Sequence, residues 1–90
     1  MGKVMAVYKL LMDSPEQDVN SVKDRLRGMV AGLSEIKLTD TSEEEVAFGL
    51  RALVCTFVVP DQGDWLNKLE EGFTTLPGIG SFESLSVSLL

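Results

Sequence analysis

Residues 46–59 read VAFGLRALVCTFVV. This stretch decides the fold. It is long, rich in β-branched and aromatic side chains, and apolar at both odd and even positions. A strand of that kind belongs in the middle of a sheet, covered on one side and paired on both edges. It is not a membrane span. Its most apolar part, Leu50 to Pro60, contains Arg51 and Thr56 and falls far short of the roughly 20 residues that a helix needs to cross a bilayer. Gly49 interrupts it, which predicts a bulge or a close backbone approach.

Working outward, a second two-faced strand is predicted over Lys3 to Met12. Val4, Ala6, Tyr8 and Leu10 form one face; Met5, Val7, Lys9 and Leu11 form the other. Ser14-Pro15-Glu16-Gln17 then has the form of a capping box, with Ser14 as N-cap and Pro15 at the first helical position. Val19, Val22, Leu26, Met29, Val30 and Leu33 repeat at spacings of three and four, as one apolar helix stripe does. Gly28 costs that helix about 1 kcal/mol against alanine, and Gly32 is its expected stop. Glu35 to Asp40 alternates like a short half-buried strand.

Thr41-Ser42-Glu43-Glu44-Glu45 is expected to be a solvated hairpin loop. No glycine-turned loop of alternating oxygen ligands accompanies it, as a calcium site would require. After the long strand, Pro60-Asp61-Gln62-Gly63 is a turn and Asp64 the expected next N-cap. Leu66, Leu69, Phe73 and Leu76 mark a second helix, which Pro77-Gly78-Ile79-Gly80 ends. From Ser81 the chain alternates again, with Leu85, Val87 and Leu89 facing one way and Ser84, Ser86 and Ser88 the other. Phe82 is out of step with them, which predicts a bulge near Glu83.

Strand, helix, strand, strand, helix, strand is the order of an α+β, ferredoxin-like βαββαβ sandwich. Two helices cover one face of a four-stranded antiparallel sheet, with the first and third strands in the middle. Residues 1–90 are expected to form one domain. The uncovered face carries either Leu53, Cys55 and Phe57 or their even-numbered neighbours; periodicity alone leaves both open.

Catalytic parts are scarce. The chain has no histidine and one cysteine, so His-based triads, disulfide frameworks and cysteine-based zinc sites are excluded. A net charge of -6 argues against a phosphate-backbone footprint. Cys55 lies inside the long strand and is expected to be an inert core thiol. Glu70 and Glu71 are adjacent on a helix and so diverge, which predicts solvated surface. No glycine-rich phosphate loop follows a strand. The acylphosphatases that share this architecture need an arginine in the loop after the first strand, where this chain has Met12-Asp13-Ser14. The N-terminal apolar stretch, broken by Tyr8 and Lys9, reads as a strand rather than a signal peptide. Ala6 stands where a myristoylation motif needs Ser or Thr. A cytoplasmic binding module without cofactor, metal or membrane is the expectation.

An aromatic, a glycine, an aliphatic and a basic residue at the head of the third strand, in Phe48-Gly49-Leu50-Arg51-Ala52-Leu53, with Pro60-Asp61 at its end, resemble translation elongation factor 1-beta, most closely its archaeal single-domain type. The Gly-Lys-Val start, the Ser-Pro-Glu segment and Lys68-Leu69-Glu70-Glu71 agree in order, so the similarity spans the chain. The resemblance implies the ferredoxin-like fold reached above and a guanine nucleotide exchange factor. Its partner would be the GTPase elongation factor 1-alpha, in its GDP-bound and nucleotide-free forms, with no bond made or broken and no direct contact with nucleic acid. In the family, one end of the domain grips the GTPase's second domain. The other end reaches the magnesium and phosphate site.

The resemblance gives Phe48 the contact with the second domain and Arg51 a pairing with an acid on the partner. Gly49 would serve backbone geometry. The alternatives are a Phe48 packed under the second helix and an Arg51 solvated on the open sheet face. The sequence departs from the family at its end. Eukaryotic members carry a lysine next to the last residue and archaeal ones tend to have an arginine nearby, whereas here no Lys or Arg follows Lys68. What remains to act on the nucleotide site is Leu89-Leu90 as a steric wedge, the terminal carboxylate, or a basic residue from elsewhere. A monomer is expected. The contrasting reading is a non-exchange interaction or regulatory module that works through the open sheet face as a homodimer.

Overall fold

The computed structural model describes residues 2–33 and 35–90. Along the chain lie β1 (Lys3–Met12), α1 (Val19–Ala31), β2 (Lys37–Glu45), a 3-10 turn (Ala47–Gly49), β3 (Arg51–Pro60), α2 (Trp65–Thr75) and β4 (Ile79–Leu89). The strands form one antiparallel sheet in the order β2-β3-β1-β4. The two strands that are apolar on both faces are therefore the central pair, and the architecture is the ferredoxin-like α+β sandwich.

Register decides which face is covered. Ala6 pairs with Phe57, Tyr8 with Cys55 and Leu10 with Leu53, and all six are buried. Paired residues share a face. The odd-numbered side chains of β3 therefore meet the helices, and Met5, Val7, Val54, Thr56 and Val58 stand on the open face. Against the covered face α1 lays Val19, Val22 and Leu26, and α2 lays Leu69 and Phe73. Phe73 is the centre of an aromatic cluster, with ring centroids 5.1 Å from Tyr8, 5.4 Å from Phe82 and 5.7 Å from Phe57.

Several local expectations are corrected. Helix α1 starts at Val19 with Asp18 as N-cap, whose Oδ1 accepts the Asn20 amide at 2.9 Å. Ser14 to Gln17 is instead a turn, closed by the Gln17 amide on the Ser14 carbonyl. Pro15 suits both structures, and Asp18 adjoins the apolar stripe directly. Strand β2 runs on through Thr41–Glu45, pairing Glu43 with Leu53 and Glu45 with Arg51. The backbone of β3 needs partners along its length, and an edge strand accepts exposed charge.

Strand β3 starts only at Arg51, because Val46–Leu50 turns the hairpin: the Val46 amide donates to the Leu50 carbonyl at 2.9 Å. Gly49, at φ 74°, serves that turn rather than a bulge. Gly80 lies within β4 and does not end α2. A side chain there would meet the Asp13 backbone at 3.0 Å. The expected β4 bulge exists, but at Leu85: Tyr8 pairs with Ser84 and Val7 with Ser86. That extra residue puts Phe82 on the same face as Val87 and Leu89.

Glu70 also departs from expectation, since it is half-buried and its Oε2 accepts the Tyr8 hydroxyl at 2.9 Å. Burial, then the bond to Glu70 and its charge, raise the Tyr8 pKa well above a free phenol's. Burial pushes the Cys55 thiol up to about 12, slightly offset by the Lys23 charge. Both groups are held neutral by the fold and ionise more readily when it opens, at 9.0 for the thiol and 10.0 for the phenol. Their stabilisation is complete below those values and is lost as pH climbs through them towards the folded-state values. We expect urea stability, read from the fluorescence of the sole tryptophan, Trp65, to fall by about 1.4 kcal/mol per pH unit above pH ~9 and more steeply above ~10. In Cys55→Ala the first part of that fall should disappear; an unchanged slope would show that the thiol does not carry it.

Candidate functional site: two ends of one sheet

Phe48 sits at the tip of the β2–β3 hairpin with 93% of its surface exposed and φ 63°. It does not pack under α2. Left-handed backbone costs a residue with a Cβ roughly 1–2 kcal/mol. The fold thus spends stability to hold a large aromatic ring in water. Beside the ring is a shallow depression of about 460 Å³, lined by Leu11, Val46, Leu50 and Phe82, with Lys9 and Glu83 as its charged members. An exposed aromatic next to an apolar hollow is the usual signature of a protein contact. Gly49 is exposed too. An added Cβ would touch only Pro15, at 3.9 Å, so its positive φ and not lack of space calls for glycine.

Arg51 opens β3 and, being odd-numbered, belongs to the helix side rather than the open face. Its Nη1 is 3.4 Å from Glu43 Oε2, and Lys23 Nζ is 3.8 Å from the other Glu43 oxygen. Arg51 also lines a small polar cleft with Gln17, Asp18 and Asn20 at the start of α1. Its half-exposed pairing is worth ~1 kcal/mol or less, so an incoming carboxylate can compete with Glu43 at little cost. Glu43 and Glu45 share one face of β2 and Glu44 points to the other, where it meets Lys9 at 3.8 Å. The acidic run therefore diverges, and among the described residues no cluster of three or more acidic or cysteine side chains is placed to hold a metal ion.

Leu89 and Leu90 lie at the opposite end. They are 75% and 68% exposed, yet the Leu90 amide still donates to the Lys3 carbonyl at 2.9 Å. The register fixes the separation: Leu11 pairs with Ala52 near the hairpin tip, while Lys3 meets Pro60 and Val4 meets Leu89 at the far end. The Cα positions extend 43 Å along the longest axis. Phe48, Gly49 and Arg51 are thus gathered at one end and Leu89 and Leu90 stand at the other. The hollow beside Phe48 was not legible in the sequence, because Leu11 and Phe82 come from distant strands. The exposure of Leu85 and Val87 was missed as well: alternation shows that side chains share a face, not that the helices reach far enough to cover it.

Exposed apolar groups thus stand at both ends of one hydrogen-bonded sheet. The chain belongs to the family of EF-1 guanine nucleotide exchange domains, whose model matches residues 5–90. It is a guanine nucleotide exchange factor of translation elongation, and its partner is a translation elongation factor. Among curated proteins it is similar to Elongation factor 1-beta of Halobacterium salinarum, with 40% identity over 97% of this chain and 93% of the relative. The same-named protein of Natronomonas pharaonis is 36% identical over 92% of each chain. That of Methanosphaerula palustris is 33% identical over 99% of each. Among solved structures, the C-terminal domain of the MgtC protein from Mycobacterium tuberculosis shares the fold alone. It superposes at a TM-score of 0.62 with 10% identity, covering 100% of this chain and 88% of that one. Neither helix is long and apolar enough to cross a membrane.

Proposed function

We propose that this chain accelerates GDP release from elongation factor 1-alpha in the cytoplasm, gripping the GTPase with the Phe48 tip and acting on its nucleotide site with the Leu89-Leu90 end. The observation that carries this reading is Phe48, a nearly fully exposed ring held at positive φ. Exchange of this kind needs no bond chemistry and no cofactor. A factor that binds the nucleotide-free GTPase more tightly than the GDP form lowers GDP affinity by the same ratio, whichever ligand binds first. Phe48, with Gly49 shaping the turn, supplies affinity; Arg51 exchanges Glu43 for an acid of the partner. With no Lys or Arg after Lys68, Leu89 and Leu90 act as a steric wedge.

Among the described residues, the large exposed apolar side chains are Phe48 and those of Leu85, Val87, Leu89 and Leu90. They lie at the tip and along the end of the chain, which favours two-ended binding over docking through the open sheet face. The test is release of a fluorescent GDP analogue from elongation factor 1-alpha. The full chain should accelerate it at micromolar excess, and no acceleration would remove the proposal. In the same assay, deleting Leu89 and Leu90 should slow release about tenfold, a loss of about 1.4 kcal/mol at the transition state. The fold should survive, since both side chains are largely in water. Unchanged kinetics would show that the tail is not the wedge.

A further inference from the structure

Cations are scarce in this chain, with 8 Lys and Arg against 14 Asp and Glu. Two of them are nevertheless committed to one carboxylate. Glu43 Oε2 lies 3.4 Å from Arg51 Nη1, and Glu43 Oε1 lies 3.8 Å from Lys23 Nζ. The arrangement joins three elements: Lys23 comes from α1, Glu43 from β2 and Arg51 from β3. All three side chains are at least partly in water, so the arrangement contributes little to stability. As a seat for a carboxylate it is already assembled, with a planar guanidinium at one oxygen and an ammonium at the other.

The seat adjoins the hairpin tip. Arg51 and Glu43 line a cleft of about 220 Å³ with Pro15 and Asn20. Pro15 is also the residue that a Cβ on Gly49 would touch, and Phe48 immediately precedes Gly49. The cleft is several times the ~30 Å³ that a water takes up, so a further side chain can enter without the fold opening. The other acid of the cleft, Asp18, does not compete for the cations. Its Oδ1 accepts the Asn20 amide and its Oδ2 the Ser21 hydroxyl. Glu43 stands on an edge strand with 37% of its side chain exposed, so it can swing out into water. The two cations then trade one carboxylate for another.

We propose that Glu43 stands in for a carboxylate of the elongation-factor partner, and that Lys23 joins Arg51 in holding that carboxylate once the Phe48 tip is seated. This rests on the two-ended grip argued above and adds two residues to it. Lys23 is the second arm of the seat. Glu43 is a built-in competitor: it occupies both cations in the free protein, and its displacement is subtracted from the affinity. A partner surface without an acid at that point leaves Glu43 in place and gains nothing from either cation.

Calorimetric titration of nucleotide-free elongation factor 1-alpha with the full chain tests this. Glu43→Gln should bind roughly threefold tighter, because the competing charge is gone. Lys23→Met and Arg51→Met should each bind several-fold weaker, and Lys23→Arg should restore the native affinity. On a background lacking both cations, Lys23→Met with Arg51→Met, the Glu43→Gln change should have no effect, because no cation is left to release. Glu44→Gln removes the same charge from the opposite face of β2 and should leave the affinity as it is. Weaker binding by Glu43→Gln would overturn the proposal, since Glu43 would then position Arg51 for the partner rather than block it. Unchanged affinity would overturn it too, as would equal tightening by Glu43→Gln and Glu44→Gln, which is a general relief of repulsion. Those results remove the seat alone; absence of binding by the native chain would remove the two-ended grip and the seat with it.

Discussion

Phe48→Ala should reduce the acceleration of GDP release by roughly 30-fold, the equivalent of a 2 kcal/mol contact hot spot. It should leave the unfolding temperature within about 3 °C of the original, because exposed substitutions change stability by ~0.5 kcal/mol or less. The ring touches water and not the core, so its loss creates no cavity. Phe48→Gly sharpens the test. Glycine accepts φ 63° without a Cβ penalty, so this variant should unfold a few degrees higher while exchanging as poorly as the alanine form. Stability and activity then move in opposite directions at one position. Undiminished exchange in both variants would remove Phe48 from the contact. A fall of more than about 10 °C in either would mean that the ring supports the fold after all.

Phe73→Ala should have the largest effect on stability. Phe73 is fully buried and in contact range of Tyr8, Phe57 and Phe82, which belong to β1, β3 and β4. It is the residue through which α2 is fixed to three strands at once. Removing a buried phenylalanine costs about 3–5 kcal/mol. A domain of this size has a total stability of roughly 5–13 kcal/mol. The unfolding temperature should fall by about 15–30 °C. Phe73→Leu should recover more than half of the loss. Trp65 fluorescence and far-ultraviolet circular dichroism report both transitions. A drop of only a few degrees for the alanine variant would show that the core collapses around the gap.

The layout of the sheet was legible because it rests on quantities that sequence carries directly. Two strands apolar on both faces had to be the central pair, and two stripes at helical spacing had to cover one side. The ends of elements were less legible, for a common reason. Side-chain character reports burial, whereas a strand's limits are set by where its neighbour's backbone needs partners. Thr41–Glu45 looks like a loop by polarity and is a strand because β3 pairs with it. Val46–Leu50 looks like a strand by hydrophobicity and is a turn because Phe48 and Gly49 take left-handed backbone. That second difference bears on function. Phe48, the residue to which the family resemblance gives a contact, reads as part of a strand, where half its surface would be hidden. The turn is what puts the whole ring in reach. Which face of β3 points outward was invisible until register tied Leu53, Cys55 and Phe57 to Leu10, Tyr8 and Ala6.

The distance between the hairpin tip and the far end is set by hydrogen-bonded strands, not by a linker. Strand β3 runs without interruption from Arg51 to Pro60, flanked along its length by β1. In the two-ended grip we propose, once the tip is seated on the GTPase the Leu89-Leu90 end no longer searches by diffusion. Its effective concentration at the second surface is governed by the stiffness of the sheet, and a tether that matches its span gives the highest value. The domain then behaves as a gauge. It rewards a partner whose two surfaces are one sheet-length apart, and a GTPase whose domains have swung to another spacing is engaged at one end only.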